Sequence, residues 1–160
     1  MIRVAIVTVS DSAVAGTRAD RSGPALRERV EALGWTVCAQ ETVPDERDQI
    51  AAALRRLGGS IQPMLILTAG GTGVSLRDVT PEATRDVIER EAPGLAELIR
   101  DEGRKATPFA ALSRGIAGLC GKSLIVNLPG SPKGAVESLD SVAALIPHAI
   151  DLLEGRTEHR

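Results

Sequence analysis

Apolar residues run along this chain in two ways, as unbroken stretches and at helical spacing, and the two alternate. Residues 3–9 form a continuous β-branched run, which predicts a strand buried on both faces. Leu26, Val30 and Leu33 then fall on one side of a helix that Gly34 can end. Residues 36–43 alternate well enough for a second strand. Asp45 is a candidate cap for a helix carrying Ile50, Leu54 and Leu57 on one face. A third strand is expected over residues 64–68, followed by helices over about 81–91 and about 94–103. Residues 115–119 and 123–128 predict two more strands, separated by Gly121-Lys122. Leu139, Val142, Ala143 and Ile146 mark one face of a further helix, and a last short one ends near Leu153.

Strands alternating with helices predict an α/β domain, a three-layer α/β/α arrangement around a mainly parallel sheet. Ligands of such sheets sit beyond the carboxyl ends of the strands. Strand direction alone brings four segments there: Ser10-Asp11-Ser12, Pro44-Asp45-Glu46, residues 68–78 and residues 127–133. All four are polar or glycine-rich, which predicts one composite site. Residues 1–154 are expected to form a single domain, with 155–160 a polar tail.

Composition narrows the function classes. At 160 residues, 43% hydrophobic and 25% charged, the chain has the make-up of a globular domain with a sizeable core. A net charge of −2 argues against general binding to nucleic acid or a membrane surface. Trp35 and Phe109 are the only aromatics, so no stacking platform for single strands is available and the core must be aliphatic. Cys38 and Cys120 stand far apart without a C-x-x-C motif, as expected of reduced thiols in a cytoplasmic protein. The 3–9 run breaks off at Ser10-Asp11-Ser12 and reads as a strand, not a signal peptide, and no apolar run approaches membrane-spanning length.

The densest chemistry lies in Thr68-Ala69-Gly70-Gly71-Thr72-Gly73 and the Arg77-Asp78-Val79-Thr80-Pro81-Glu82 that follows. Glycines let backbone N–H groups approach an anion, and a helix start can add partial positive charge. Thr80 is a candidate cap, Pro81 fits the first turn, and Glu82 suits the dipole. Local structure leaves Arg77 and Asp78 unexplained. Asp45 and Asp78 are candidate Mg²⁺ carboxylates, since Mg²⁺ takes one or two carboxylates beside substrate phosphates and water. Ser131 can cap the next long helix, and Lys133 can neutralise a phosphate there. Ser10, Asp11 and Ser12 suit a polar heterocycle or phosphate. Residues 116–123 miss the P-loop spacing, and neither His148 nor His159 belongs to a nucleophilic triad.

Taken together, these residues resemble the molybdopterin adenylyltransferase family, of the MogA type and similar to the G domain of gephyrin. The resemblance is carried by Thr8-Val9-Ser10-Asp11-Ser12, Asp20-Arg21-Ser22-Gly23-Pro24, Val43-Pro44-Asp45-Glu46, the strings from Thr68 to Gly73 and from Arg77 to Ala83, Leu112-Ser113-Arg114, and Asn127-Leu128-Pro129-Gly130-Ser131-Pro132-Lys133. Ala69 departs from a common threonine. The resemblance implies transfer of AMP from Mg-ATP to molybdopterin, with release of pyrophosphate. It implies functional aspartates at Asp45 and Asp78, which also hold Mg²⁺, and a nucleotide loop of Gly70, Gly71, Thr72 and Gly73 with Arg77. It further implies pterin and phosphate contacts from Ser10, Asp11, Ser12, Ser113, Pro129, Gly130, Ser131 and Lys133. A homotrimer, and a molybdenum-insertion protein as partner, also follow from the resemblance. A MoaB-type paralogue and a non-catalytic molybdopterin-binding scaffold are the alternatives.

Overall fold

The computed structural model describes residues 1–61 and 65–156. A six-stranded sheet runs in the order β2-β1-β3-β6-β5-β4. Its strands are β1 (Arg3–Val9), β2 (Thr36–Val43), β3 (Leu65–Ala69), β4 (Arg90–Glu91), β5 (Ala117–Cys120) and β6 (Ser123–Leu128). The first three and β6 are mutually parallel, while β5 runs antiparallel to both β6 and β4. The helices are α1 (Asp11–Val14), α2 (Ser22–Ala32), α3 (Arg47–Arg56), α4 (Thr80–Arg85), α5 (Pro93–Ala106), α6 (Pro132–Val142) and α7 (Ile146–Leu153).

Successive strand side chains point to opposite faces, and this divides the core in two. Val4, Ile6, Leu65, Leu67, Leu124 and Val126 face α2, α5, α6 and α7, where Leu26, Val30, Leu139, Val142, Ile146 and Ile150 meet them. Ala5, Val7, Ile66 and Ile125 face the other way, onto Ile50, Leu54 and Leu57 and onto Ala83 of α4. Helices therefore cover both faces, and the core is aliphatic as the composition requires.

The chain passes from β1 to β2 on one side and then crosses to β3 on the other. That reversal opens a crevice outside the carboxyl ends of β1 and β3, the favoured ligand position in such sheets. The two ends are close: a Cβ added to Gly70 would lie 2.4 Å from the Val9 carbonyl oxygen.

Several local expectations are corrected. The helix expected over 81–91 stops at Arg85, and Arg90–Glu91 instead forms the edge strand β4. Val87 is buried at helical spacing from Ala83, so the periodicity was satisfied by a turn rather than a continued helix. Asp45 does not cap α3; Glu46 occupies that position without a side-chain bond. Thr80 does not cap α4 either, since Val79 precedes the helix and the buried Thr80 hydroxyl bonds elsewhere. The helix expected over 94–103 is α5, longer at both ends, and the strand expected over 115–119 is β5, one or two residues later. Of the third expected strand, residue 64 lies outside the described residues, as do residues 157–160 of the tail.

Candidate functional site

The carboxyl edge is tied together by side chains that answer one another across loops. After β1, Ser10 caps α1 by accepting a bond from the Ala13 N–H at 3.2 Å, and its hydroxyl lies 3.1 Å from that of Ser12. The Asp11 N–H donates to the Asp45 carboxylate at 3.0 Å, and the Asp45 N–H donates back to Asp11 at 2.9 Å. Arg77 donates to both oxygens of Asp11, the closest contact being 2.8 Å, and to Glu46 at 3.1 Å. The ends of β1 and β2 and the loop after β3 are thereby fastened to one another.

The glycine loop is held by its carbonyls. Gly70 and Gly71 have φ of 107° and 68°, conformations that side chains rarely adopt. The Gly70 carbonyl accepts from the Thr80 hydroxyl at 2.9 Å, and the Gly71 carbonyl from the Thr80 N–H at 3.0 Å. The Thr72 and Gly73 carbonyls accept from the N–H and Nε of Arg114, each at 2.7 Å. Arg114 also donates to the Asp78 carbonyl at 2.7 Å and to the Glu82 carboxylate at 2.8 and 3.0 Å. Asp78 turns its carboxylate back to accept from the Ser75 N–H at 3.0 Å. A Cβ on Gly73 would lie 2.9 Å from that carboxylate.

Two cavities open on this edge. The larger, about 940 Å³, lies between the glycine loop, α5, the 108–113 turn and the start of α6, and Arg100, Lys105, Phe109 and Ser113 line it. The smaller, about 660 Å³, lies between the ends of β1 and β3, with Thr8, Ser10, Asp20, Ser22 and Asp45 in its wall. Gly71, Asp78, Gly130 and Ser131 line both.

This site has known relatives. Residues 5–148 match a family described as "Probable molybdopterin binding domain". The chain belongs to the molybdopterin-binding domain family. Within it, the chain is 42% identical to "Molybdopterin adenylyltransferase" of Helicobacter pylori (strain J99), over 96% of this chain and 89% of that protein. It is 44% identical to "Molybdenum cofactor synthesis protein cinnamon" of Drosophila melanogaster, over 95% of this chain but only 26% of that one. Among solved structures it is similar to the molybdopterin biosynthesis enzyme MoaB from Thermus thermophilus. That match has a TM-score of 0.92 and 52% identity, and covers 97% of this chain and 98% of that one.

Set in this molybdopterin-binding domain, the residues singled out from sequence separate into two groups. Ser10, Asp45, Gly70, Gly71, Thr72, Gly73, Asp78, Ser113, Pro129, Gly130 and Ser131 line one cavity or both. Asp11, Ser12, Arg77 and Lys133 do not. Asp11 and Arg77 are occupied with each other. Lys133 is 87% exposed, with Glu137 3.9 Å away. Ser131 does cap α6, its hydroxyl accepting from the Gly134 N–H at 3.1 Å.

Sequence reasoning gave no role to Asp20, Arg100, Arg114 or Asn127. Asp20 accepts from the Thr8 hydroxyl at 2.9 Å and the Gly23 N–H at 3.0 Å. Arg100 holds the Gly115 carbonyl at 2.8 Å. Buried Asn127 donates to Thr68 and Thr84, each at 3.0 Å, and accepts from the Ile116 N–H at 3.1 Å. The sequence signal for Asp20 and Asn127 was their place in the strings that carry the family resemblance, which gave them no individual role.

One of the two candidate metal carboxylates, Asp45, carries its charge at a cost. Burial pushes the Asp45 carboxyl above its ordinary range, and the negative charges of Asp11 and Asp78 add to this. Its partner Asp11 is held below that range by the Asp45 N–H and by Arg77. A divalent cation would relieve the repulsion at Asp45. Among the described residues no cluster of three or more His, Cys, Asp or Glu is placed to hold a metal. Two hard carboxylates therefore fit a Mg²⁺ that phosphate oxygens and water mainly coordinate, and not a self-standing metal centre. No helix among the described residues is long and apolar enough to cross a membrane.

Proposed function

We propose that this chain is a molybdopterin adenylyltransferase acting in molybdenum cofactor biosynthesis. It moves AMP from ATP to the terminal phosphate of molybdopterin and releases pyrophosphate. The observation that carries the reading is the shared wall of the two cavities. A transfer between two substrates needs two compartments that meet at the reacting atoms. Here they meet at a glycine-loop residue, a carboxylate and the start of α6.

In the reaction a phosphate oxygen of molybdopterin attacks the α-phosphorus of ATP. A P–O bond forms there as the bond to the β-phosphate oxygen breaks, and pyrophosphate carries the electron pair away. The attacking phosphate is already ionised, so no strong base is required. The chain supplies position and cancellation of charge. The glycine-loop amides donate to phosphate oxygens, and the capped N-terminus of α6 favours a second anion. Asp45 and Asp78 would hold Mg²⁺, which when bound neutralises phosphate charge and orients the tail. The homotrimer, the cytoplasmic setting and hand-over to a molybdenum-insertion protein rest on the family resemblance and belong to the same proposal.

The 52% identity to a MoaB protein favours one second reading, a paralogue that binds molybdopterin without transferring AMP. Incubation with molybdopterin, ATP and Mg²⁺ separates the two. The expected result is pyrophosphate release that depends on molybdopterin, with AMP recovered on the pterin. Molybdopterin binding with no pyrophosphate above the ATP-only control would replace the transferase with the paralogue.

A further inference from the structure

The four loop carbonyls from Gly70 to Gly73 are all engaged, and among the described residues two engage them. Thr80 takes the first two through its hydroxyl and its N–H, and Arg114 takes the next two through its N–H and Nε. Among the described residues no peptide bond is cis. In a trans peptide unit the N–H points opposite to the carbonyl it shares a plane with. Each fixed carbonyl therefore aims the next N–H away from the clamp. Those N–H groups belong to Gly71, Thr72, Gly73 and Val74. Among the described residues none of them donates to a protein acceptor.

We infer that Arg114, with Thr80, is the positioning residue that sets the glycine-loop amides for phosphate. The inference rests on the transferase reading above and concerns a residue that does not line either cavity. Arg114 does not act as a phosphate cation. Its guanidinium is committed to Glu82 and to the Gly73 and Asp78 carbonyls, so its charge is matched before any ligand arrives. Its reach explains why one side chain is enough. The side chain grips the loop at Gly73, Asp78 at the far end, and Glu82 in the first turn of α4, while the backbone N–H of the same residue holds Thr72. A ligand phosphate then meets donors that need no further ordering. Lysine cannot copy this, because a single ammonium lacks the planar fork that spans three acceptors.

The test compares Arg114→Lys, Arg114→Gln and Thr80→Val with the unaltered chain. Mg-ATP binding is read by calorimetry, and the Gly71 to Val74 amides by ¹⁵N NMR. In the unaltered protein, Mg-ATP should shift the Gly73 and Val74 amide resonances strongly. Arg114→Lys keeps the ion pair with Glu82 and serves if Arg114→Gln folds poorly. It should keep a near-normal melting temperature, bind Mg-ATP roughly tenfold more weakly, and lose most of the shift at Val74, while Gly73, aimed through the Arg114 backbone N–H that the substitution leaves in place, keeps most of its own. Molybdopterin affinity, titrated alone, should change less than ATP affinity. If both Arg114 variants take Mg-ATP with unaltered affinity and unaltered amide shifts, the positioning role is wrong while the transferase reading stands. If the unaltered chain itself takes no Mg-ATP, the nucleotide reading falls and the role of Arg114 falls with it.

Discussion

Four strands reach the site at their ends, whereas β5 reaches the same edge at its start. Along β1, β2, β3 and β6 the chain runs towards the crevice and then turns, leaving Ser10, Asp45, the glycine loop and Ser131 there. Because β5 is antiparallel to β6, the chain crosses the edge before the strand begins, and residues 113–116 lie beside the loops. The two arrivals supply different goods. The parallel ends bring the carboxylates and the glycine-loop backbone. The lead-in to β5 brings braces: Arg114 on the glycine loop, and the Ile116 N–H on Asn127. One inverted strand thus lets a distant part of the chain hold a loop that its own neighbours hold only at one end.

Three outcomes would break or sharpen that division. The largest effect is expected on the parallel side. Asp78→Asn should fold normally and lose at least roughly a hundredfold in turnover, about 2.7 kcal/mol. Near-normal pyrophosphate release would remove Asp78 from the chemistry. The next tests the join between the two halves. Asn127→Ala removes two donated bonds and leaves the Ile116 N–H without its acceptor, which should cost about 2–3 kcal/mol in urea unfolding. A loss below about 0.5 kcal/mol would show that β5 docks without it.

The smallest effect concerns two carboxyls that exchange backbone bonds yet shift in opposite directions. NMR titration should find Asp11 below its ordinary value of 3.8 and Asp45 above it. Asp11 then contributes stability that is present above its unfolded pKa and lost as pH falls through its depressed folded value. Asp45 has the reverse sign. Its ionised form is disfavoured in the fold, so it detracts from stability at neutral pH, and this is relieved as pH falls through its raised value. Arg77→Gln should raise both titrations. An unchanged Asp11 in that variant would mean the Asp45 N–H alone sets its acidity.

Much of this was readable in the sequence, and the failures share one cause. Unbroken apolar runs located β1, β3 and β6 because buried parallel strands are apolar on both faces, and alternation located the edge strand β2. The four polar segments that end them gave the edge of the site. Asp45 and Thr80 were misread as caps because capping uses the same side chains that bond across loops. Local spacing cannot tell a partner three residues on from the Asp11 N–H, 34 residues away. Arg114 stood in the Leu112-Ser113-Arg114 string but drew no role from local spacing, since its side-chain partners lie 32 to 41 residues earlier. The edge strand β4 has two residues, too few for any period to register. Arg77 is the instructive middle case. Local structure left this cation unexplained, it was expected at a nucleotide loop, and the structure employs it on Asp11 and Glu46.

The near absence of aromatic side chains has an optical consequence. With no tyrosine and one tryptophan, the ultraviolet signal of this protein comes almost wholly from one indole. Trp35 immediately precedes β2, and the loops of the site follow that strand's other end. Eight strand residues put about 26 Å between them. Trp35 packs against the core beside α2, where it reports on the integrity of the fold. An adenine held at the proposed site would absorb over a weakly absorbing protein background and would lie at the far end of β2 from the indole. Intrinsic emission therefore follows melting of the domain, while difference absorbance in the adenine band would follow nucleotide occupancy.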